Sequence, residues 1–206
     1  RYISINDNVD TLYDNNDIAP FKNILNDMYA KDISRKVKSA KRLLMQKGMY
    51  MAAQPPYGYK KDPNDKHKLI VDEEVRYVVE LIYDLALEGK SPRKIAEILT
   101  LKKIPIPIVY KGEPRGKNIT ENDGFGIWKR QTVKDILTSE MYIGNMVQNT
   151  FNKVSYNSKK LRKTDTSEYI VVPNTHEAII SKETFDKVQD LLNSRTKDKK
   201  TDSQLE

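Results

Sequence analysis

Residues 29–48 read YAKDISRKVKSAKRLLMQKG. Helix-forming Ala, Leu, Lys and Arg fill the stretch, proline is absent, and Gly48 stands where a helix can stop. At about 100° per residue, Lys31, Arg35, Lys38 and Arg42 fall in one narrow stripe. Tyr29, Ile33, Val37, Ala40 and Leu44 fall on the opposite face. Residues 31–47 carry seven Lys or Arg against one acid, Asp32, in a chain whose net charge is +7. The positive charge is therefore concentrated. A solvated helix face commonly interleaves Glu with Lys at i,i+4, whereas this face stacks like charges, which costs helix stability unless a polyanion offsets it. Two readings stand open: a solvated basic face, or a stripe lying along a phosphate backbone.

Toward the N-terminus, Asn16 or Asp17 can cap the helix, and Pro20 lies in its tolerant first turn. Phe21, Ile24, Leu25 and Met28 turn the apolar face by roughly a quarter of a turn, so one helix serves two environments. Residues 1–6, RYISIN, alternate apolar and polar side chains and predict a short strand, with an Asp/Asn-rich loop after it. A chain opening inside a strand predicts a further part upstream.

Toward the C-terminus, Pro55-Pro56 and Tyr57-Gly58-Tyr59 predict an extended, turning segment with small residues Ala52 and Ala53 before it. This reads as a linker, slim enough to lie in a minor groove. DEEVRYVVELIYDLALEG (72–89) predicts a helix capped by Asp72, with Val75, Val78, Val79, Ile82 and Tyr83 inward. Ser91-Pro92 opens another helix with Ile95, Ile98 and Leu99 inward. Residues 104–107, IPIP, predict extended backbone, and 110–126 a polar loop. Trp128 leads into a third helix, KRQTVKDILTSEMY, with Val133, Ile136 and Leu137 inward. Lys129, Arg130, Gln131, Thr132 and Lys134 crowd its first turns.

Three short helices, the last opening on long polar side chains, have the shape of a helix-turn-helix unit, although the connection before the third is long for that motif. Arg and Gln can pair bidentately with guanine and adenine. Beyond Tyr142 the pattern is β-like, and Lys153, Lys159, Lys160, Arg162 and Lys163 fall in a segment without acid from Phe151 to Lys163. Ser181 caps a last helix to about Ser194.

Composition removes several function classes. With no cysteine among 206 residues there is no disulfide, thiol nucleophile or cysteine-held zinc, and His67 and His176 are too few for a histidine metal site. No metal or other cofactor is expected. No apolar run approaches the ~18 residues of a membrane span. At 38% hydrophobic and 32% charged residues, the chain is polar for a dense enzyme core.

Several stretches together resemble the large serine recombinases, the serine integrases and transposon resolvases. They are SINDNVDT (4–11), YAKDISRKVKSAKR (29–42), PPYGYKKDP (55–63), HKLIVDEE (67–74), GKSPRKIAEIL (89–99), IPIP (104–107), W-x4-V-x2-IL-x4-YIG (128–144) and HEAIISKETFDKVQDLL (176–192). The resemblance implies that residues 1–47 are the end of a catalytic domain with its long helix, 48–68 a linker near the minor groove, and 69–195 the DNA-binding recombinase domain. Residues 196–206 read as a disordered tail. It implies a parent that cuts and rejoins DNA through a covalent serine–DNA intermediate, self-associates as a dimer or tetramer, and works in the bacterial cytoplasm on the nucleoid. The nucleophilic serine would lie upstream, so no residue here inherits a catalytic role and Ser4 is not that serine. The family's cysteine-ligated zinc ribbon is absent from this chain.

The expected fold is mainly α with minor β, and the expected partner is double-stranded DNA, with no membrane. Lys31, Arg35, Lys38, Arg42, Lys159, Lys160 and Arg162 are expected at phosphates, with Lys129 and Thr132 also in contact. Arg130, Gln131 and Lys134 are expected at bases. A helix-turn-helix transcription regulator without a catalytic parent is the alternative, and a protein-interaction module meeting an acidic partner is a third reading.

Overall fold

The computed structural model describes residues 3, 4, 9, 10, 19–114 and 116–202. The expected caps at Asn16 and Asp17 lie outside them. The chain divides into two compact units, one of residues 1–43 and 149–168, the other of residues 44–148 and 169–206.

In the first unit, β1 (Ile3–Ser4) pairs antiparallel with β2 (Val9–Asp10), and the helix α1 runs over Ala19–Gln46, its last turn belonging to the second unit. The same unit holds an antiparallel ribbon of β6 (Phe151–Lys153) and β7 (Leu161–Lys163). The Tyr156 hydroxyl, in the turn of this ribbon, donates to the Asp27 carboxylate on α1. Among the unit's described residues no hydrophobic side chain is buried: Phe21, Ile24, Met28 and Tyr29 are 57–70% exposed.

The second unit has the core. Its elements are β3 (Tyr59–Lys61), β4 (Leu69–Val71), α2 (Glu73–Leu87), α3 (Pro92–Leu101), α4 (Pro107–Tyr110), α5 (Arg130–Thr138), β5 (Met146–Gln148), β8 (Ile170–Val172) and α6 (Lys182–Asp202). Helix α2 packs on α3, α5 and α6, and α3 on α5. Val78, Val79, Ile82 and Tyr83 of α2, Leu99 of α3, Leu137 of α5 and Val188 of α6 are fully buried. The architecture is mainly helical with minor β, as the hydrophobic periodicity implies.

The segment 48–68 is folded differently from a strung-out linker. Tyr50, Tyr57 and Tyr59 are buried, and β3 pairs with β4. The Tyr59 hydroxyl donates to the Glu177 carbonyl at 2.9 Å, and Tyr142 donates to the Tyr57 carbonyl at 2.9 Å. A phenol hides a large apolar ring while its hydroxyl finds a carbonyl, and that draws the segment into the core. Gly58 makes this possible: its φ is +91°, and a Cβ there would sit 2.8 Å from Val79 Cγ2. Met49, residues 52–54, Lys60, residues 63–66 and Lys68 stay exposed.

Other local differences have identifiable causes. Asp72 precedes α2 but makes no side-chain cap; its carboxylate accepts from the Tyr110 hydroxyl at 2.9 Å and pairs with Lys60 at 3.6 Å. Pro107 begins a short helix instead of prolonging the extended run, because a proline is well suited to a first helical position. Helix α5 ends at Thr138, where the Ser139 hydroxyl accepts from the Met141 amide and opens a 3-10 turn, Glu140–Ile143. Strand β5 pairs antiparallel with β8. Helical backbone continues to Asp202, beyond the point at which the sequence reads as disordered; residues 182–202 contain neither glycine nor proline.

Candidate nucleic-acid interface

Lys31, Arg35, Lys38 and Arg42 are all exposed on α1, and among the described residues none has an ion-pair partner. Of the acids beside the stripe, Asp27 accepts from the Tyr156 hydroxyl and Asp32 is engaged with Lys36. Asp32 holds Lys36 at 2.8 Å, and Lys36 lies about 140° round the helix from Lys31. That contact raises the Lys36 pKa, chiefly through the hydrogen bond. Among the described residues the stripe is left as four like charges without a counterion.

On α5 the cationic side chains crowd the wrong end for a helix left to itself. The N-cap position is Lys129, which caps nothing, and the first turn has no acid. Positive charge at a helix N-terminus opposes the helix dipole, and an anion there relieves it. Lys129, Arg130, Gln131 and Lys134 are exposed. Thr132 is half-buried and lines an open depression of about 540 Å³ with Ile106, Pro107, Ile119 and Trp128. The helix is fixed from below and at both ends. Val133 and Leu137 are fully buried, the Tyr83 hydroxyl donates to the Ile136 carbonyl at 3.1 Å, and Gln189 Nε2 donates to the Leu137 carbonyl at 2.7 Å. At the entry, the Trp128 amide donates to Thr100 Oγ1 at 3.0 Å and Trp128 Nε1 to the Ile104 carbonyl at 2.8 Å.

One partner at this surface was not anticipated. Gln131 Nε2 donates to Asp135 Oδ1 at 2.7 Å, so one amide hydrogen is already engaged and the Gln131 oxygen is left as an acceptor. The i,i+4 spacing is the signal that could have found it.

Lys159 and Lys160 sit in the turn of the β6–β7 ribbon and Arg162 on β7, all exposed. Arg162 is opposite Asn152, whereas Lys153 and Lys163 share the other face with Phe151 and Leu161. The stripe and the ribbon cations belong to the first unit, and the α5 cluster to the second.

Among the described residues no group of three or more His, Asp or Glu side chains could hold a metal ion, and no helix is long and apolar enough to cross a membrane.

A family model described as Recombinase matches residues 73–195. Two solved structures also match, each over 77% of this chain at 20% identity: a crystal structure of an LSR–DNA complex, with a TM-score of 0.47, and a structure concerning the sequence requirements of the Listeria innocua prophage attP site, with a TM-score of 0.40. The chain spans 39% and 51% of the length of those two proteins.

Proposed function

Because the chain belongs to the Recombinase family, we propose that it is the DNA-recognition part of a serine site-specific recombinase, holding attachment-site duplex for integration, excision or transposition. The observation that carries this reading is the α1 stripe: four exposed cations in register, with no carboxylate partner among the described residues. A duplex presents one negative charge per ~1.7 Å of axis, and cations spaced along a helix edge release its condensed counterions.

The roles divide by chemistry. Lys31, Arg35, Lys38, Arg42, Lys159, Lys160 and Arg162 neutralise phosphates and set register. Arg130, Gln131 and Lys134 project from the anchored start of α5 toward base edges, with Lys129 and Thr132 contributing contacts beside them. Residues 48–68 lie near the minor groove. Strand cutting, through a covalent serine–DNA intermediate that conserves the phosphodiester energy, is assigned to another part of the parent protein. The parent self-associates on DNA and acts in the bacterial cytoplasm. Site affinity is shared among modules, so this chain alone binds weakly.

The test is duplex binding across a salt series. Replacing Lys31, Arg35, Lys38 and Arg42 by Ala is expected to weaken binding to every sequence and to flatten the log Kd against log salt slope by roughly four phosphate contacts. Gln131→Ala is expected to change sequence preference instead. An unchanged slope rejects the stripe as a phosphate contact, and uniform loss on all sites from Gln131→Ala rejects base reading by that residue.

A further inference from the structure

The ribbon cations assigned to phosphates leave one face of β6–β7 unexplained. The register sets Phe151 opposite Lys163 and Lys153 opposite Leu161, which puts these four side chains on one face. All four are exposed, and the two apolar ones are 59% and 64% exposed. The other face is partly satisfied within the ribbon: Asn152 Nδ2 donates to Asn149 Oδ1 and to Thr164 Oγ1, each at 3.1 Å, and Thr164 is buried. From Phe151 to Lys163 there are five cations and no acid.

We infer that the β6–β7 ribbon lies in the major groove of duplex DNA, with Phe151 and Leu161 against base edges and Lys153 and Lys163 at the flanking phosphates. This rests on the DNA-binding reading above. The major groove is wide enough to admit a two-stranded ribbon, and the thymine methyl is the apolar feature it presents. The charge of the ribbon suits that polyanion. The arrangement of the face argues against a lipid surface. Each apolar side chain sits across from a lysine, so burying either one in hydrocarbon would carry an ammonium group with it. In a groove the same alternation is useful, because base edges and phosphates lie a few ångströms apart. The ribbon thus reads thymine position by contact with its methyl group, separately from α5.

The experiment uses this chain and a pool of duplexes with a random centre, from which the chain selects its own preferred duplex. That duplex is then remade with deoxyuridine in place of thymidine, which removes only the methyl groups. The unaltered chain is expected to bind the deoxyuridine form more weakly. F151S/L161S is expected to bind the thymidine form about 10- to 100-fold more weakly than the unaltered chain, with the salt slope kept, and to be indifferent to the methyl groups. K153Q/K163Q is expected to lower the salt slope by about two while keeping the methyl preference. Because Phe151 and Leu161 are exposed, the far-UV dichroism should be unaltered, and each single serine variant gives the same readout in smaller measure.

Thymidine-form binding by F151S/L161S equal to that of the unaltered chain, or an undiminished methyl preference, overturns the ribbon placement while leaving the DNA reading intact. So does a variant that loses only self-association, or only binding to phosphatidylglycerol vesicles. If the unaltered chain selects no duplex at all, the DNA reading fails and this inference with it.

Discussion

The two units use hydrophobic residues in opposite ways. On α2 the apolar side chains at 75, 78, 79 and 82 are at most 4% exposed, whereas on α1 those at 21, 24, 28, 29 and 33 are 57–70% exposed. Both helices show the same kind of periodic spacing, so spacing alone does not say whether a face is covered. The second unit is held by a core that its own chain completes. Among its described residues the first shows a helix, two antiparallel strand pairs and a polar link between Tyr156 and Asp27, none of which excludes much water. The densest positive charge belongs to the unit in which no described hydrophobic side chain is buried. A region whose shape is not set by burial is free to carry like charges in register, and it has the greater need of something outside itself.

The contrast can be broken most directly by truncating one residue in each unit. Leu137→Ala should cost about 2–5 kcal/mol in denaturant unfolding, since the side chain is fully buried. Ile24→Ala should stay within about 0.5 kcal/mol. Equal losses would mean that α1 has a covered face after all.

Next in size is Gly48→Ala, two residues beyond the end of α1 and within the cored unit. Its φ is +77°, and a Cβ would lie 2.8 Å from Thr175 Cγ2. A loss of about 1–3 kcal/mol in the unfolding midpoint, read by circular dichroism, is expected. Little or no loss would show that this helix end is loosely held. Ser91→Ala removes a hydroxyl that accepts from the Lys94 amide at 3.2 Å and should cost about 1 kcal/mol, confined to the second unit.

The smallest effect is one of pH. His176 Nε2 lies 2.8 Å from the Met141 carbonyl and Nδ1 lies 2.8 Å from Thr175 Oγ1. Burial lowers its pKa, partly offset by the Met141 carbonyl. The unfolded chain therefore takes up the proton first as pH falls through about 6.5. This contribution to stability is complete above that pH and declines below it. The fall in urea midpoint on acidification should be shallower in His176→Gln, and an equal fall would remove His176 as its source.

Much of the helical framework was legible in the sequence because its causes are local. Val75, Val78, Val79 and Ile82 recur at helical spacing, and Ser91-Pro92 combines a cap with a first-position proline; the structure has both helices. The fate of 48–68 was not legible. Two prolines and a glycine mark a turning chain, but burial of Tyr59 depends on the carbonyl of Glu177, 118 positions away, which leaves no local trace. Asp72 misled for a related reason: it has the right residue type for a cap, and Tyr110, 38 positions on, competes for the carboxylate. For the interface, the α1 stripe followed from periodicity. The shared face of Phe151 and Leu161 needed the ribbon register, because the turn length decides which residues meet.

The fixing of Trp128 has an optical consequence. It is the only tryptophan in the chain, it is 4% exposed, and the Tyr57 ring stands edge-on to it with centroids 5.6 Å apart. Its emission therefore comes from a single dry site directly before the cap of α5, and neighbouring phenols can pass excitation to it. The protein carries its own lamp beside the surface proposed to read bases, so events at that helix can be followed without attaching a dye.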